Sequence, residues 1–165
     1  MPFNYLTNLD ALVSVLASHN TTTATPNLSG SLSSSVVTIE DRDWEVQQLR
    51  VADVPGVFVR IADSEEEFAS LGNTGPSGNR KFKEVHYEIL GVYKKEGMTQ
   101  ENSDLARMAY QLAANIEGVL QANVTLTNTA LWVNPERSDF TASFQHQGAW
   151  LKGVLTRVKA RYFFR

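Results

Sequence analysis

From Trp150 to Phe164 the chain alternates with a period of two. Val154, Thr156, Val158, Ala160, Tyr162 and Phe164 share one face; Leu155, Arg157, Lys159, Arg161 and Phe163 share the other. A period of two is the signature of a strand. Fifteen residues exceed the usual strand length, so the fold must contain an unusually long one. A second strand is equally plain from Phe82 to Tyr93, with Val85, Tyr87 and Ile89 on one face and Glu84, His86 and Glu88 on the other. Its alternation breaks at Leu90-Gly91-Val92, which predicts a bulge at Gly91 or a strand covered on both sides. Val57, Val59 and Ile61, after Val54-Pro55-Gly56, predict a partner strand, so that the two flank a glycine-rich loop as a long antiparallel hairpin.

Helical periodicity appears twice. Leu6, Leu9, Leu12, Val13 and Leu16 form a stripe over Leu6–Ala17, with Asn4, Thr7 and Asn8 as candidate N-caps. Leu105, Met108, Ala109, Leu112, Ile116, Val119 and Leu120 form a stronger stripe over Asn102–Gln121, and Asp104 suits the positive end of its dipole. Weaker strand signals lie at Val36–Ile39, Glu45–Val51, Val124–Thr127 and Ala130–Val133. Residues 19–35, 64–80 and 135–148 read as irregular, the first two as flexible loops. The order of elements predicts a single domain over 1–165. Its class is α+β: a mostly antiparallel sheet with a long hairpin, one main helix packed on the sheet and an N-terminal helix.

Composition narrows the chemistry. The 165 residues include no cysteine, which excludes disulfides, thiol catalysis and cysteine-based zinc sites. No apolar run approaches 18 residues, and the start Met1–Tyr5 lacks the pattern of a signal peptide. His19, His86 and His146 stand apart without a second ligand at metal spacing, and His86 beside Glu84 and Glu88 predicts a local hydrogen bond or ion pair. Gly72, Gly75 and Gly78 lead into Asn79-Arg80-Lys81, not the Gly-Lys-Ser/Thr of a phosphate loop. Asp63, Glu65, Glu66 and Glu67 read as a solvated acidic turn, since nothing fixes their separation. No catalytic residue, metal or cofactor is predicted.

The net charge of −3 is unevenly spread. Residues 1–80 carry four basic and ten acidic side chains, giving −6; residues 81–165 carry eleven and eight, giving +3. Arg157, Lys159 and Arg161 on the last strand, with Tyr162, Phe163 and Phe164 nearby, predict a basic face that suits an acidic partner surface or a channel passed by nucleic acid.

In arrangement the chain resembles the tail-terminator and tail-completion proteins of long-tailed bacteriophages. The residues that carry the resemblance are the strand Pro55–Ile61 running into a polar glycine loop, the basic return strand Arg80–Tyr93, the acidic-capped helix Asn102–Gln121, two short strands and the long closing strand. The resemblance implies a homo-oligomeric ring, a hexamer, at the head-proximal end of the virion tail. That ring caps the tail tube, ends its polymerisation and offers a surface for head–tail joining. Implied partners are further copies of the chain, the tail tube protein and head–tail connector proteins, with DNA met only in the lumen and no membrane. A closed head-to-tail ring needs two different complementary patches. Candidate interface residues are Glu65, Glu66, Glu67, Asn73, Asn79 and Arg80 in the glycine loop. Arg157, Lys159 and Arg161 are candidates for the interface or the lumen. Two other readings fit the same residues: a neck or head-completion protein on the head side of the joint, and a small α+β ligand-binding or enzymatic domain.

Overall fold

A computed structural model describes residues 3–21, 23–28, 38–68, 81–96 and 103–164. Its elements are α1 (Tyr5–Ser18), β1 (Thr38–Asp41), a 3₁₀ turn (Val51–Asp53), β2 (Gly56–Phe68), β3 (Lys81–Glu96), α2 (Ser103–Ala122), β4 (Trp132–Phe140), β5 (Phe144–His146) and β6 (Ala149–Phe164). The strands form one six-stranded sheet in the order β1-β2-β3-β6-β4, with β5 pairing the start of β6. Only β1 and β2 run parallel; the other pairs are antiparallel. The fold is α+β, as the element order predicts.

The centre of the sheet is β3 against β6. Their register is unbroken from Lys81 opposite Phe164 to Glu96 opposite Ala149. One face carries both helices. Val57, Val59, Val85, Tyr87, Ile89, Val158, Ala160 and Tyr162 meet the apolar faces of α1 and α2 in the main core. Within that core the Tyr87 and Tyr162 hydroxyls lie 2.8 Å apart, each the other's partner. Burial pushes the Tyr87 hydroxyl well above its ordinary pKa and that of Tyr162 up to about 12. The pair is therefore neutral at any physiological pH.

α2 reaches close to the sheet because β3 offers it Gly91. A Cβ there would stand 2.9 Å from Leu112 Cδ2 and 3.2 Å from Ile116 Cδ1. Gly91 pairs in regular register with Val57 and Val154, so the run Leu90-Gly91-Val92 is a covered strand. The irregularity lies instead in β2, between Ile61 and Asp63.

Several segments differ from the sequence expectation. In α1, Asn4 is the N-cap, its side chain accepting from the Thr7 N–H at 3.1 Å. Its buried face is Asn8, Leu9, Leu12, Val15 and Leu16, while Leu6 is 69% exposed. At 3.6 residues per turn Leu6 falls roughly 120° from the centre of that face. Residues 19–28 are not a free loop where they are described. Leu28 is fully buried, His19 Nδ1 donates to the Pro26 carbonyl at 2.8 Å, and Asn115 Nδ2 donates to the Asn27 carbonyl at 2.6 Å. The rest of that stretch, and Val36-Val37 of the first strand signal, lie outside the described residues.

The segment Glu45–Val51 is turn, not strand. Asp43 accepts backbone N–H groups from Glu45, Val46 and Gln47 and winds the chain, leaving Val46 81% exposed. Val124–Thr127 is also turn. Leu126, Thr127 and Asn128 all take positive φ, and the buried Leu126 side chain anchors them. There the β-branched residues are overridden by tertiary packing. Conversely, Pro135–Phe140 is strand, not irregular. β4 is an edge strand with a bulge between Pro135 and Arg137, which is where a proline is tolerated.

Two substitutions test this core. Gly91→Val should lift α2 from the sheet and lower stability by about 1–3 kcal/mol in chemical denaturation. Tyr162→Phe should cost about 1–3 kcal/mol by stranding the Tyr87 hydroxyl, and the Tyr87→Phe/Tyr162→Phe pair should cost less than the sum of the singles.

Candidate interaction surface

The sheet face away from the helices carries the residues the sequence singled out, and the register explains their arrangement. Side chains directly opposite one another in a sheet share a face. Across β2, β3 and β6 three successive rows follow: Arg60, Glu88, Arg157; then Asp63, His86, Lys159; then Glu65, Glu84, Arg161. The bulge in β2 keeps Asp63 and Glu65 in these rows, although Asp63 follows Arg60 by three positions, an odd step that would otherwise change face.

The rows are stitched by ion pairs. Arg60 places Nη2 2.7 Å and Nε 2.9 Å from Glu88 Oε2. Its other contacts are Asp43 at 3.1 Å and Glu45 at 2.7 Å. Its guanidinium also lies over the Trp44 ring, 4.6 Å from the centroid. These carboxylates, Glu45 first, push the Arg60 pKa up despite partial burial. Lys159 Nζ is 2.5 Å from Glu84, and Arg161 is 3.5 Å from the same carboxylate. Its hydrogen bond to Glu84 raises the Lys159 pKa. Arg161 also covers the Phe82 ring at 4.4 Å. Arg157, 53% exposed, is the loosest member, 3.8 Å from Glu88. His86 Nδ1 contacts the carboxylate of Asp63, so its partner lies across the sheet on β2 and not in Glu84 or Glu88 of its own strand.

The expected basic face is thus corrected. Arg157, Lys159 and Arg161 do share one face of β6, but each sits beside a glutamate of β3. The cations keep 26–53% of their side-chain surface in solvent while the glutamates are largely covered, so water screens these pairs and they shape surface charge more than stability. The expected acidic loop is corrected too. Ser64–Phe68 is the outer end of β2, paired with Lys81–Val85. The lysines across the hairpin make this possible: Glu66 lies 2.7 Å from Lys81 and 3.8 Å from Lys83. That puts Glu65 on the charged face and Glu66 on the opposite one. Glu67 pairs through its backbone with Phe82. Asn73, Asn79 and Arg80 lie outside the described residues.

Arg60, Asp63, Glu84 and Glu88 complete the lattice without having been singled out as interface residues. The alternation that exposes them is visible in the sequence; the pairing that joins them is not. The upper rows run from Asp63 and Glu65 on β2 to Lys159 and Arg161 on β6, and β4 continues them with Asn134 and Trp132. Acidic and basic side chains from the two halves of the chain thus interleave on one sheet face. Among the described residues, no strand pairs with the outer side of β2 beyond Arg60. Nor does any group of three or more His, Asp or Glu residues there cluster to hold a metal.

No protein-family model matches the chain, and no curated protein matches it.

Loop 42–53 is fastened beside the lattice by Asp53. This carboxylate accepts from Arg42 Nη1 at 2.7 Å and from the Arg50 backbone N–H at 3.2 Å. Arg42, with Arg50 second, lowers the Asp53 pKa from 3.8 to about 2. A depressed carboxylate stabilises the fold above its unfolded pKa and loses that contribution as pH falls through the folded one. The window is therefore about pH 4 down to pH 2. Asp53→Asn should flatten the pH dependence of unfolding free energy in that window, measured by urea denaturation at stepped pH.

Proposed function

We propose that the chain is a structural virion subunit. It forms a ring that caps the phage tail tube, ends tail polymerisation and provides the surface for head–tail joining. The reading rests on the resemblance in element order, and one observation of the surface supports it: Asp63 and Glu65 of β2 lie on the same sheet face as Lys159 and Arg161 of β6. Heterologous closure joins two unlike patches of one subunit type. Asp63 and Glu65 lie on β2, with whose outer side no strand pairs beyond Arg60 among the described residues. They and the cations of β6 would serve as such a pair by exchanging partners on assembly, and opposite charges set register and speed encounter. No bond is made or broken in this role. The work is tighter binding to an assembled tube end than to free tube subunits, a difference of affinities built from many contacts.

Light scattering and negative-stain imaging of the purified chain, with and without tail tubes, test this reading. The expected result is a closed ring or ring formation at tube ends. A strict monomer that ignores tube ends would overturn it. Pull-down against tube protein and against portal-side proteins separates a terminator from a neck protein. Charge reversal gives a finer test. Arg157→Glu should weaken assembly about tenfold, and rising salt should weaken the wild-type assembly as well.

A further inference from the structure

Below the ion-pair lattice the same sheet face turns apolar and forms a cleft. Its floor is Leu90 and Val92 of β3 with Leu151 of β6, part of a small second core with Val54 and Phe58. One wall is the loop fastened by Asp53, which contributes Trp44 and Leu49. The facing wall is β5, through Phe144 and His146. The cleft has a volume of about 430 Å³. That is within the range of small-ligand sites, which are mainly apolar with a few polar groups.

Two features define what it would take. Trp44 and Phe144 place an aromatic ring on each wall, and Phe144 is 50% exposed. Among the described residues, the ionisable side chains lining the cleft are Arg50 and His146, and none of the lining residues is acidic. This is unusual on a face otherwise crossed by carboxylates. Arg50 is 77% exposed, and its side-chain contacts with Asp53 are both 3.3 Å, against 2.7 Å for Arg42 on the same carboxylate. A second anion could share that guanidinium without displacing the stronger pair.

We propose that this cleft binds a small amphipathic anion. An aromatic or aliphatic body lies between Trp44 and Phe144 over Leu90, and a single acidic head group meets Arg50 at the rim. The site is independent of the ring reading: it uses the other end of the sheet face and needs no second copy.

Fluorescence titration of the purified chain with anilinonaphthalene sulfonate, and with phenylnaphthylamine as the uncharged body, tests it. The sulfonate should bind one molecule per chain. Leu90→Glu should weaken it at least tenfold. Arg50→Ala should weaken the sulfonate at least fivefold and the uncharged dye less than twofold. Val46→Glu, on the same loop but outside the cleft, should change neither. Phe144→Ala should also lower affinity at least threefold; because Phe144 is half exposed, this variant keeps the test valid if Leu90→Glu fails to fold by circular dichroism. Several sites indifferent to these substitutions would overturn the proposal. So would equal loss of both dyes in Arg50→Ala. The same holds if light scattering shows copies associated through this face and dye binding only when they are separated.

Discussion

The unbroken antiparallel pairing of β3 with β6 is the constraint on which the rest of the molecule depends. Sixteen residues of each strand are held in one register, and a slip of one residue would turn every side chain to the other face. On the helix side this register puts Tyr87 beside Val158 and within reach of Tyr162, and puts Gly91 where α2 comes down. On the far side it sets Glu84 and Glu88 against Arg161 and Arg157. Core and charged surface are two readings of one alignment. Neither can be altered by sliding the strands without losing the other.

The far face is divided along the strands. Toward Lys81 and Phe164 it is an ion-pair lattice; toward Glu96 and Ala149 it is a shallow apolar cleft. Loop 42–53 joins the two halves, since Trp44 lies under the Arg60 guanidinium and also walls the cleft. Its fastening by Arg42 and Asp53 therefore shapes both halves at once.

The strongly periodic elements were legible in the sequence. The closing strand, the Phe82–Tyr93 strand and both helices follow from spacing alone, because each has one face fully in the core. What was not legible depends on partners distant in sequence. Glu65-Glu66-Glu67 has the composition of a turn, yet it is strand because Lys81 and Lys83 lie across from it. Pro135–Phe140 has the composition of a loop, yet it is strand because an edge needs one set of hydrogen bonds only. Val124–Thr127 has the composition of a strand, yet burial of Leu126 bends it into a turn. The three cations of the last strand were found correctly as a set. Their neutralising glutamates were equally visible, but only register shows that the two sets interleave.

Pro135 and the bulge beside it carry a consequence for crowding. An exposed edge strand is a template for any other chain in extended form. On β4 the row of donors is interrupted by a residue without an N–H and then kinked, with Glu136, Arg137 and Asp139 flanking the break. A further strand laid along this side would find one donor missing and the edge kinked. The sheet is therefore disfavoured from growing past β4, whatever chain approaches it.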